Sequence, residues 1–263
     1  MASALYSGLL NSGFSATNLS VVDPSAAAQD NARQAGIEQV FDSAPAKSLL
    51  ADLIVLAIKP QITKAALQPL AGRLKPNSLV LSIVAGISAE SLASLLGLSD
   101  AGGIIRCMPN TPALVGEGMT GLHANTQVGS AEGKELAERV MSSVGQCVWV
   151  ENESDLDVVT AISGSGPAYF FLFIESLTEA AIALGMNSES ARKLALQTAL
   201  GASRLASLSR EDAATLRENV TSPGGTTERA IQAFEAADIR GIVAQATQAA
   251  ARRSLELSKE FGA

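Results

Sequence analysis

One run of six apolar residues constrains the fold of this chain more than any other feature. Residues 53–58 read Leu-Ile-Val-Leu-Ala-Ile, with no polar side chain alternating with the apolar ones. This pattern is typical of a strand covered on both faces, as in the interior of a parallel sheet. Further apolar, β-rich runs occupy residues 19–22, 79–84, 103–107 and 147–150, and helical stretches separate them at 25–35, 61–74, 88–96 and 130–143. The alternation predicts βαβ units and a parallel sheet.

After about residue 152 the pattern changes, and no convincing strand follows. Gly185 predicts the end of one helix, and Asn187 with Ser188 predicts the start of the next. We therefore divide the chain into an α/β nucleotide-binding-like domain, residues 1–152, and an all-helical domain, residues 153–263. The helical stretches of the second domain are 154–162, 167–184, 188–207, 210–218, 226–237 and 239–259.

The helix predicted at residues 167–184 is apolar nearly all round. Its plainly polar side chains are Glu175, Ser176, Thr178 and Glu179. A helix with so little polar surface is buried, so we expect it to pack against a second subunit as well as its own domain.

Charge and rare residues exclude several classes of protein. Lys plus Arg is 19 and Asp plus Glu is 26, a net charge of −7, whereas nucleic acids and anionic membranes attract a basic surface. With two cysteines, Cys107 and Cys147, and one histidine, His123, we expect no disulfide framework and no zinc site. We also expect no secretory signal, no membrane partner and a cytoplasmic location.

The segment 219–227, Asn-Val-Thr-Ser-Pro-Gly-Gly-Thr-Thr, carries the strongest chemical signal. Two glycines allow a sharp turn that exposes backbone N–H groups, and several hydroxyls stand directly before a predicted helix. Such a corner binds small anions, because both the free N–H groups and the helix dipole favour negative charge. A plain turn followed by Thr226 as helix N-cap explains the residues about as well.

Two other motifs follow predicted strands. Residues 57–60, Ala-Ile-Lys-Pro, end the first run, and Asn110 lies in Met-Pro-Asn-Thr-Pro after the run at 103–107. Open α/β sheets bind ligands at the carboxyl ends of their strands, although a proline there can simply end a strand. Asp23 could accept ribose hydroxyls or cap the helix that begins near Ser25, and the cap is slightly favoured.

Taken together, these segments resemble pyrroline-5-carboxylate reductases, which reduce a cyclic imine to L-proline with NADPH or NADH in the last step of proline biosynthesis. The resemblance spans essentially the whole chain, and the final segment is close to diagnostic of the family. The five motifs that carry it, in the family's order, are 57–60 (Ala-Ile-Lys-Pro), 84–86 (Val-Ala-Gly), 106–112 (Arg-Cys-Met-Pro-Asn-Thr-Pro), 163–169 (Ser-Gly-Ser-Gly-Pro-Ala-Tyr) and 220–227 (Val-Thr-Ser-Pro-Gly-Gly-Thr-Thr).

The resemblance implies a Rossmann-type N-terminal domain, an all-α substrate-binding and dimerisation domain, and a homodimer or a ring of dimers. It implies that Ser222 and the N–H groups of Gly225 and Thr226 hold the substrate carboxylate, and that the Thr227 hydroxyl acts near the ring nitrogen as the catalytic group. Val220 and Gly224 complete the implied substrate site. The implied cofactor-binding residues are Met1, Ala2, Asp23, Ala57, Ile58, Lys59, Pro60, Val84, Ala85, Gly86 and Asn110, with NADPH or NADH as cofactor and no metal.

The start of the sequence departs from the family pattern. Family members open with a strand and a Gly-x-Gly-Asn-Met loop, and residues 1–5 are similar to the family's residues directly after that Asn. We therefore expect the first strand and the Gly-rich loop to be missing and nucleotide binding to be weak. Two alternatives stay open: a related imine reductase or β-hydroxyacid dehydrogenase, and a non-catalytic homologue that has lost its cofactor loop.

Overall fold

Seven short strands form two sheets in the computed structural model, which describes residues 1–45, 48–98, 103–128 and 131–261. In the first sheet β1 and β2 are parallel. In the second, with order β3-β4-β5-β6-β7, the first three strands are parallel, β6 runs antiparallel to β5, and β7 is parallel to β6. The strands are β1 (Ser20–Val22), β2 (Gln39–Phe41), β3 (Leu53–Leu56), β4 (Leu79–Ser82), β5 (Ile104–Met108), β6 (Gly118–Ala124) and β7 (Gly145–Trp149).

The strand order is that of a dinucleotide-binding sheet with one position unfilled by the described residues. A doubly wound sheet has the order 3-2-1-4-5-6, in which the first strand joins the two halves. Here β2-β1 corresponds to positions 3-2, and β3-β4-β5 corresponds to positions 4-5-6. In the described ranges no strand pairs with the outer edge of β1 or of β3, so each is an edge strand of its own sheet.

The prediction of a strand covered on both faces at residues 53–58 is confirmed for Leu53–Leu56; the strand ends there, and Ala57 is exposed. Leu53 and Val55 pack against one apolar cluster, which includes Leu81 and Ile105, whereas Ile54 and Leu56 belong to a second cluster. Helices cover both faces of the sheet. The side chains of this apolar strand point alternately to the two faces, and those on each face pack against apolar neighbours. These helices are α1 (Ala2–Asn11), α2 (Ala26–Gln34), α3 (Thr63–Leu67), α4 (Ala89–Leu96) and α5 (Ala131–Ser142).

One helix prediction for this half was wrong, and two elements were not predicted. The helix expected over 61–74 is broken into a 3-10 turn, α3 and a second 3-10 turn, because Pro69 cannot donate a helical hydrogen bond. Strand β2 and helix α1 were not predicted. The helix expected from residue 130 begins at Ala131 in the structure; residue 130 itself lies outside the described residues.

The helices of the second half agree with the sequence to within about three residues. Gly185 has the left-handed φ of +95° that ends a helix, and the Asn187 side chain accepts the Ser190 N–H at the start of the next. The short helix α6 continues through one π-helical turn, Thr160–Gly164. The helices are α6 (Asp155–Val159), α7 (Gly166–Ala183), α8 (Ser188–Leu208), α9 (Ala213–Asn219), α10 (Thr226–Ala236) and α11 (Ile239–Phe261).

Contacts divide the chain into two compact units, with the change between residues 165 and 166, and the domain boundary near residue 152 stays a prediction. Unit 1 comprises Met1–Ser165 and the C-terminal segment from Ala250, and unit 2 comprises Gly166–Ala249. Helix α11 therefore begins in unit 2 and ends in unit 1. The last turns of α11 belong to the same unit as the N-terminal half of the chain.

Helix α7 exposes its apolar side chains in the single chain. Phe170, Phe171 and Leu172 are each 63% exposed. The segment Asp155–Ala183 is long and apolar enough, by length and composition, to cross a membrane. This surface requires a partner, and the sequence predicts that the partner is a second subunit.

Candidate active site

Three loops that the sequence singled out lie at one edge of the parallel strands. In the register of β3, β4 and β5, Leu56 pairs with Ser82 and Ser82 pairs with Arg106. Residues 57–60, 84–86 and 110 therefore follow neighbouring strands at their carboxyl ends, the edge where open α/β sheets bind nucleotides. Within this edge Ala57, Lys59 and Ala85 are exposed, and Val84 is buried.

The end of α11 lies against one of these loops. Gly86 has φ +74°, and a Cβ at this position would stand 3.3 Å from the backbone oxygen of Leu257. A residue with a side chain would meet both a strained backbone conformation and a close helix, so glycine is required here. Nearby, the Ser254 hydroxyl donates to Asp157 at 2.6 Å. The last turns of α11 thus pack on unit 1 at the carboxyl edge of its parallel strands.

Asn110 is buried, and its side chain is fully engaged within unit 1. Its Nδ2 donates to the backbone oxygen of Ser163 at 3.1 Å and to the Ser163 hydroxyl at 3.2 Å. Its Oδ1 accepts the Met119 N–H at 2.9 Å. An Asn side chain has two donors and one carbonyl acceptor, so this one ties β6 to the π-helical turn. The amide predicted to line the cofactor cleft makes these three bonds instead of facing outward with free donors.

The N-terminal ends of α1 and α2 supply further candidate donors. Met1 is the N-cap of α1 and Ser25 is the N-cap of α2, and neither helix start has a side-chain cap among the described residues. First-turn N–H groups without caps favour anions. The Asp23 carboxylate accepts the Ser25 N–H at 2.8 Å, the interaction expected of a residue that supports the helix start. Ala2 is the first residue of α1.

In unit 2 the segment 220–227 forms a tight turn into α10. Gly224 has φ +72°, and the Gly225 N–H donates to the Ser222 carbonyl oxygen at 2.9 Å. Gly225 is the N-cap, so the alternative with Thr226 as N-cap is wrong; Thr226 is the first helical residue. Because glycine has no side chain, α10 starts without a side-chain cap in this described segment. Its first N–H groups lack intrahelical acceptors and are suited to an anion.

The side chains around this turn differ in exposure. Ser222 and Thr226 are exposed, Thr227 is half-buried, and Val220 is 63% exposed. The resemblance assigns the Gly225 N–H to the substrate carboxylate, but in this turn it donates to the Ser222 carbonyl oxygen. The donors left at the corner are therefore the amides of the first helical turn and the hydroxyls.

One polar network carried no signal in the sequence. Glu153 accepts a hydrogen bond from Arg106 at 2.9 Å and another from the Ala89 N–H, the first amide of α4, at 2.7 Å. The Arg106 Nε is buried and has no partner in the described residues. A carboxylate at a helix start beside an arginine is stabilised by both. Only the tertiary fold brings residue 153 to residues 89 and 106, so no local spacing could have revealed the network.

The cysteines and the histidine belong to unit 1. Burial raises the pKa of the Cys107 thiol, and the neighbouring Cys147 raises it further while Arg106 lowers it. Burial also raises the pKa of Cys147, which Ser142 partly offsets by a hydrogen bond. A His123 ring nitrogen lies 3.5 Å from the Val150 carbonyl oxygen. No group of three or more metal-ligating side chains occurs in the described ranges.

The two units together define a class. A parallel α/β unit with nucleotide-type loops at its carboxyl edge, joined to a helical unit with an exposed apolar helix, is the architecture of an NAD(P)-dependent oxidoreductase with a helical dimerisation domain.

The comparisons with known proteins name the family. A model of pyrroline-5-carboxylate reductase dimerisation matches residues 153–257, and one described as NADP oxidoreductase, coenzyme F420-dependent, matches residues 1–86. The pyrroline-5-carboxylate reductase of Pseudomonas aeruginosa is 46% identical over 265 residues, which cover 100% of this chain and 95% of that protein. The chain therefore belongs to the pyrroline-5-carboxylate reductase family, and the predicted family, fold class and enzyme class are confirmed.

Solved structures agree. A pyrroline-5-carboxylate reductase from Coxiella burnetii has a TM-score of 0.91 and 38% identity, with 97% of this chain and 94% of that chain covered. The Plasmodium falciparum pyrroline carboxylate reductase with NADP bound has a TM-score of 0.83 and 31% identity at the same coverages. The chain is thus an NAD(P)H-dependent reductase of the proline-biosynthesis type with a dimerisation domain.

Proposed function

We propose that this chain reduces 1-pyrroline-5-carboxylate to L-proline and that the turn at 220–227 holds the substrate carboxylate. The observation that carries the proposal is the start of α10, where glycine stands at the N-cap and leaves the first amides without a side-chain cap. The Thr226 N–H and the Ser222 hydroxyl are the donors we assign to the carboxylate, with Val220 and Gly224 shaping the turn. The Gly225 N–H joins them when it leaves the Ser222 oxygen.

The reaction requires little acid–base catalysis by the protein. A protonated imine already accepts hydride, so the chain has to orient the ring, hold its nitrogen and exclude water. We assign the ring nitrogen to the Thr227 hydroxyl, which lies half-buried in the second position of α10. When bound, NAD(P)H supplies the hydride.

The residues of unit 1 fit a dinucleotide. Residues 57–60 and 84–86 give backbone groups at the carboxyl ends of β3 and β4, and Gly86 lets the α11 backbone at Leu257 approach this edge closely. The uncapped first turns of α1, beginning at Met1 and Ala2, and of α2 suit phosphate groups. In this proposal Asn110 supports the edge and does not itself donate to the cofactor.

We infer that NADPH is preferred and NADH accepted. The first-turn amides of α2 favour the extra 2′-phosphate, whereas the Asp23 carboxylate, which accepts the Ser25 N–H at the same helix start, opposes it. The NADP-bound Plasmodium falciparum relative supports the same preference. The ratio of kcat/KM for NADPH to that for NADH tests it, and a ratio below one contradicts it. Asp23→Ser removes a negative charge and should raise the ratio.

We propose that a second subunit, not lipid, covers α7, and that larger assemblies are rings of such dimers. Glu175 and Glu179 lie inside the apolar segment Asp155–Ala183, and an acidic side chain near the middle of a bilayer costs about 2.5–3.5 kcal/mol. The net charge of −7 opposes binding to nucleic acid and to anionic membranes. We therefore assign the protein to the cytoplasm, with a small-molecule substrate as its ligand.

Thr226→Pro tests the carboxylate site directly. Proline removes the Thr226 N–H, yet it suits the first position of a helix, and Gly225 already has the extended φ of −80° and ψ of 173° that precedes proline. We expect KM for pyrroline-5-carboxylate to rise about tenfold with kcat within about twofold, the size of one charged hydrogen bond. Thr226→Val keeps the N–H and serves as the control. An unchanged KM in the proline variant refutes the site.

A further inference from the structure

The first turn of α10 carries its own carboxylate next to the turn at 220–227. Glu228 is the third helical residue and is half-buried. Its Oε2 accepts the Gly224 N–H at 2.9 Å. The bond resembles a capping box, in which an acidic side chain at the third position reaches back to an amide before the helix.

This bond fixes the glycine part of the turn. Gly224 has φ +72°, a conformation that glycine adopts without strain but also leaves easily. Thr221 holds the start of the turn by hydrogen bonds to the carbonyl oxygens of Arg217 and Glu218, and the Gly225 N–H donates to the Ser222 oxygen. Anchoring the Gly224 amide to a residue of the helix keeps Ser222 and the helix start in one arrangement.

The same side chain places a negative charge beside the position that we assign to the substrate carboxylate. The helix dipole and the free amides can stabilise either the Glu228 carboxylate or the substrate carboxylate. The two negative charges therefore oppose each other at this helix start. Glu228 therefore stabilises the shape of the site and opposes the charge of its ligand. These two effects act in opposite directions on the affinity for a carboxylate.

We propose that Glu228 is a positioning residue that holds the turn at 220–227 through the Gly224 amide, and that its charge sets the affinity for the substrate carboxylate. The proposal rests on the proposed location of the carboxylate site. It assigns Glu228 no contact with the reacting atoms, so its effect falls on KM and not on kcat.

Two substitutions separate shape from charge. Glu228→Gln keeps an oxygen acceptor for the Gly224 N–H and removes the charge, so we expect KM for pyrroline-5-carboxylate and Kd for L-proline to fall about three- to tenfold. Glu228→Ala removes both the charge and the acceptor, so both constants should lie about tenfold above those of the Gln variant. In both variants kcat and the KM for NADPH stay within about twofold of the parent values.

Glu235→Gln is the matched control. It removes the same charge from the same helix, but Glu235 bonds to Arg240 and does not reach the turn. Its KM for pyrroline-5-carboxylate should stay at the parent value. Melting temperatures of all variants, with NADPH bound and free, identify any loss of folding.

L-Prolinamide, which lacks the carboxylate charge, gives a second readout. Its Kd should be the same in the parent and in Glu228→Gln, whereas the Kd for L-proline should fall in the Gln variant. A merely structural role of Glu228 would shift both ligands together.

Ser222→Ala separates the role of Glu228 from the location of the carboxylate site. If Ser222→Ala raises KM while Glu228→Gln leaves KM and the L-proline Kd unchanged, the role of Glu228 is refuted and the carboxylate site stands. If neither Ser222→Ala nor Thr226→Pro changes KM, the site itself is refuted, and the proposal for Glu228 falls with it. Equal constants in Glu228→Gln and Glu228→Ala refute the positioning role.

Discussion

Asn110 holds Ser163 by two hydrogen bonds from one side-chain amide, to the backbone oxygen at 3.1 Å and to the hydroxyl at 3.2 Å. Ser163 belongs to a π-helical turn, a feature that is rare in helices and frequent at functional sites. The end of β5 and the residues after it are thereby fixed to the helix that leads out of unit 1. The Met-Pro-Asn-Thr-Pro and Ser-Gly-Ser-Gly motifs, which look unrelated in sequence, form one structural unit.

Asn110→Ala should destabilise the protein substantially. The substitution leaves the Met119 N–H and the Ser163 carbonyl oxygen without their partner in a buried place, at about 1–3 kcal/mol for each group. We expect a total loss of about 2–4 kcal/mol in the free energy of unfolding, measured by urea denaturation. Asn31→Ala, at an exposed position of α2, is the control and should change stability by less than about 0.5 kcal/mol. Equal effects of the two substitutions would refute the assignment.

Glu153→Ala should cost more than Glu153→Gln. The alanine variant leaves the partly buried Arg106 without its counter-charge and the Ala89 N–H without its acceptor, although the Ser88 side chain still caps α4. Glutamine still accepts one hydrogen bond. We expect about 2–3 kcal/mol for alanine, less than for a fully buried pair because both side chains keep some exposure. Urea midpoints at constant m-value measure the difference. A glutamine variant as unstable as the alanine variant would contradict the role of the acceptor.

Thr227→Ala should lower kcat and kcat/KM together. If its hydroxyl bonds the ring nitrogen as hydride arrives, its loss costs about 1.5–3 kcal/mol, or roughly ten- to a hundredfold in rate. Ser222→Ala removes a contact made equally before and during the reaction and should act through KM. Initial rates and melting temperatures are measured on the same preparations. Near-normal turnover with a lower Tm would assign Thr227 to the helix start alone.

Phe171→Glu should separate the subunits. A charge on the exposed apolar face of α7 cannot be buried in a second subunit without a large desolvation cost. We expect the mass from light scattering at micromolar concentration to fall from a dimer, or a multiple of one, to a monomer. Leu50→Glu, on an exposed position of unit 1, should leave the mass unchanged. A parent protein that is monomeric, or that binds to lipid vesicles, would contradict the proposed assembly.

Alkylation should discriminate between the two thiols. Cys107 is buried and its pKa is raised, so it should react with iodoacetamide only after unfolding. Cys147 is half-buried with a raised pKa, so it should react in the native protein. Because the thiolate is the reactive form, the rate at Cys147 should rise with pH and reach half its maximum at a higher pH than for a free cysteine. Peptide mapping after labelling at several pH values measures both outcomes.

The sequence predicted those elements whose ends carry local signals. Gly185 and Asn187 fix the α7–α8 boundary in the sequence and in the structure alike, since a left-handed glycine and a side-chain cap act over a few residues. Strand β2 was not predicted because it has only three residues, of which Val40 alone is buried. Helix α1 was not predicted either, although the four-residue spacing of Leu5 and Leu9, which both lie in the core, is typical of a helix.

The turn at 220–227 was predicted by its composition, but its hydrogen bonding was not. Thr226 was a candidate N-cap because threonine is a good cap, whereas the structure uses Gly225 and leaves the helix start open. The bond from the Gly224 N–H to Glu228 and the network of Glu153 depend on geometry that no spacing rule encodes. The assignment of individual site residues remains a prediction.

The contact between Gly86 and the last turns of α11 determines when the first unit can be completed. Domains generally form as their segments leave the ribosome, at about 5–20 residues per second. The loop at residues 84–86 emerges early, but the turn around Leu257 that packs on it is made only after the whole of Gly166–Ala249. Closing such a distant contact is slow, because the entropy of a long loop is lost before the contact is gained. The carboxyl edge of the parallel strands is therefore completed last, and a nascent chain that stalls within α11 leaves it incomplete.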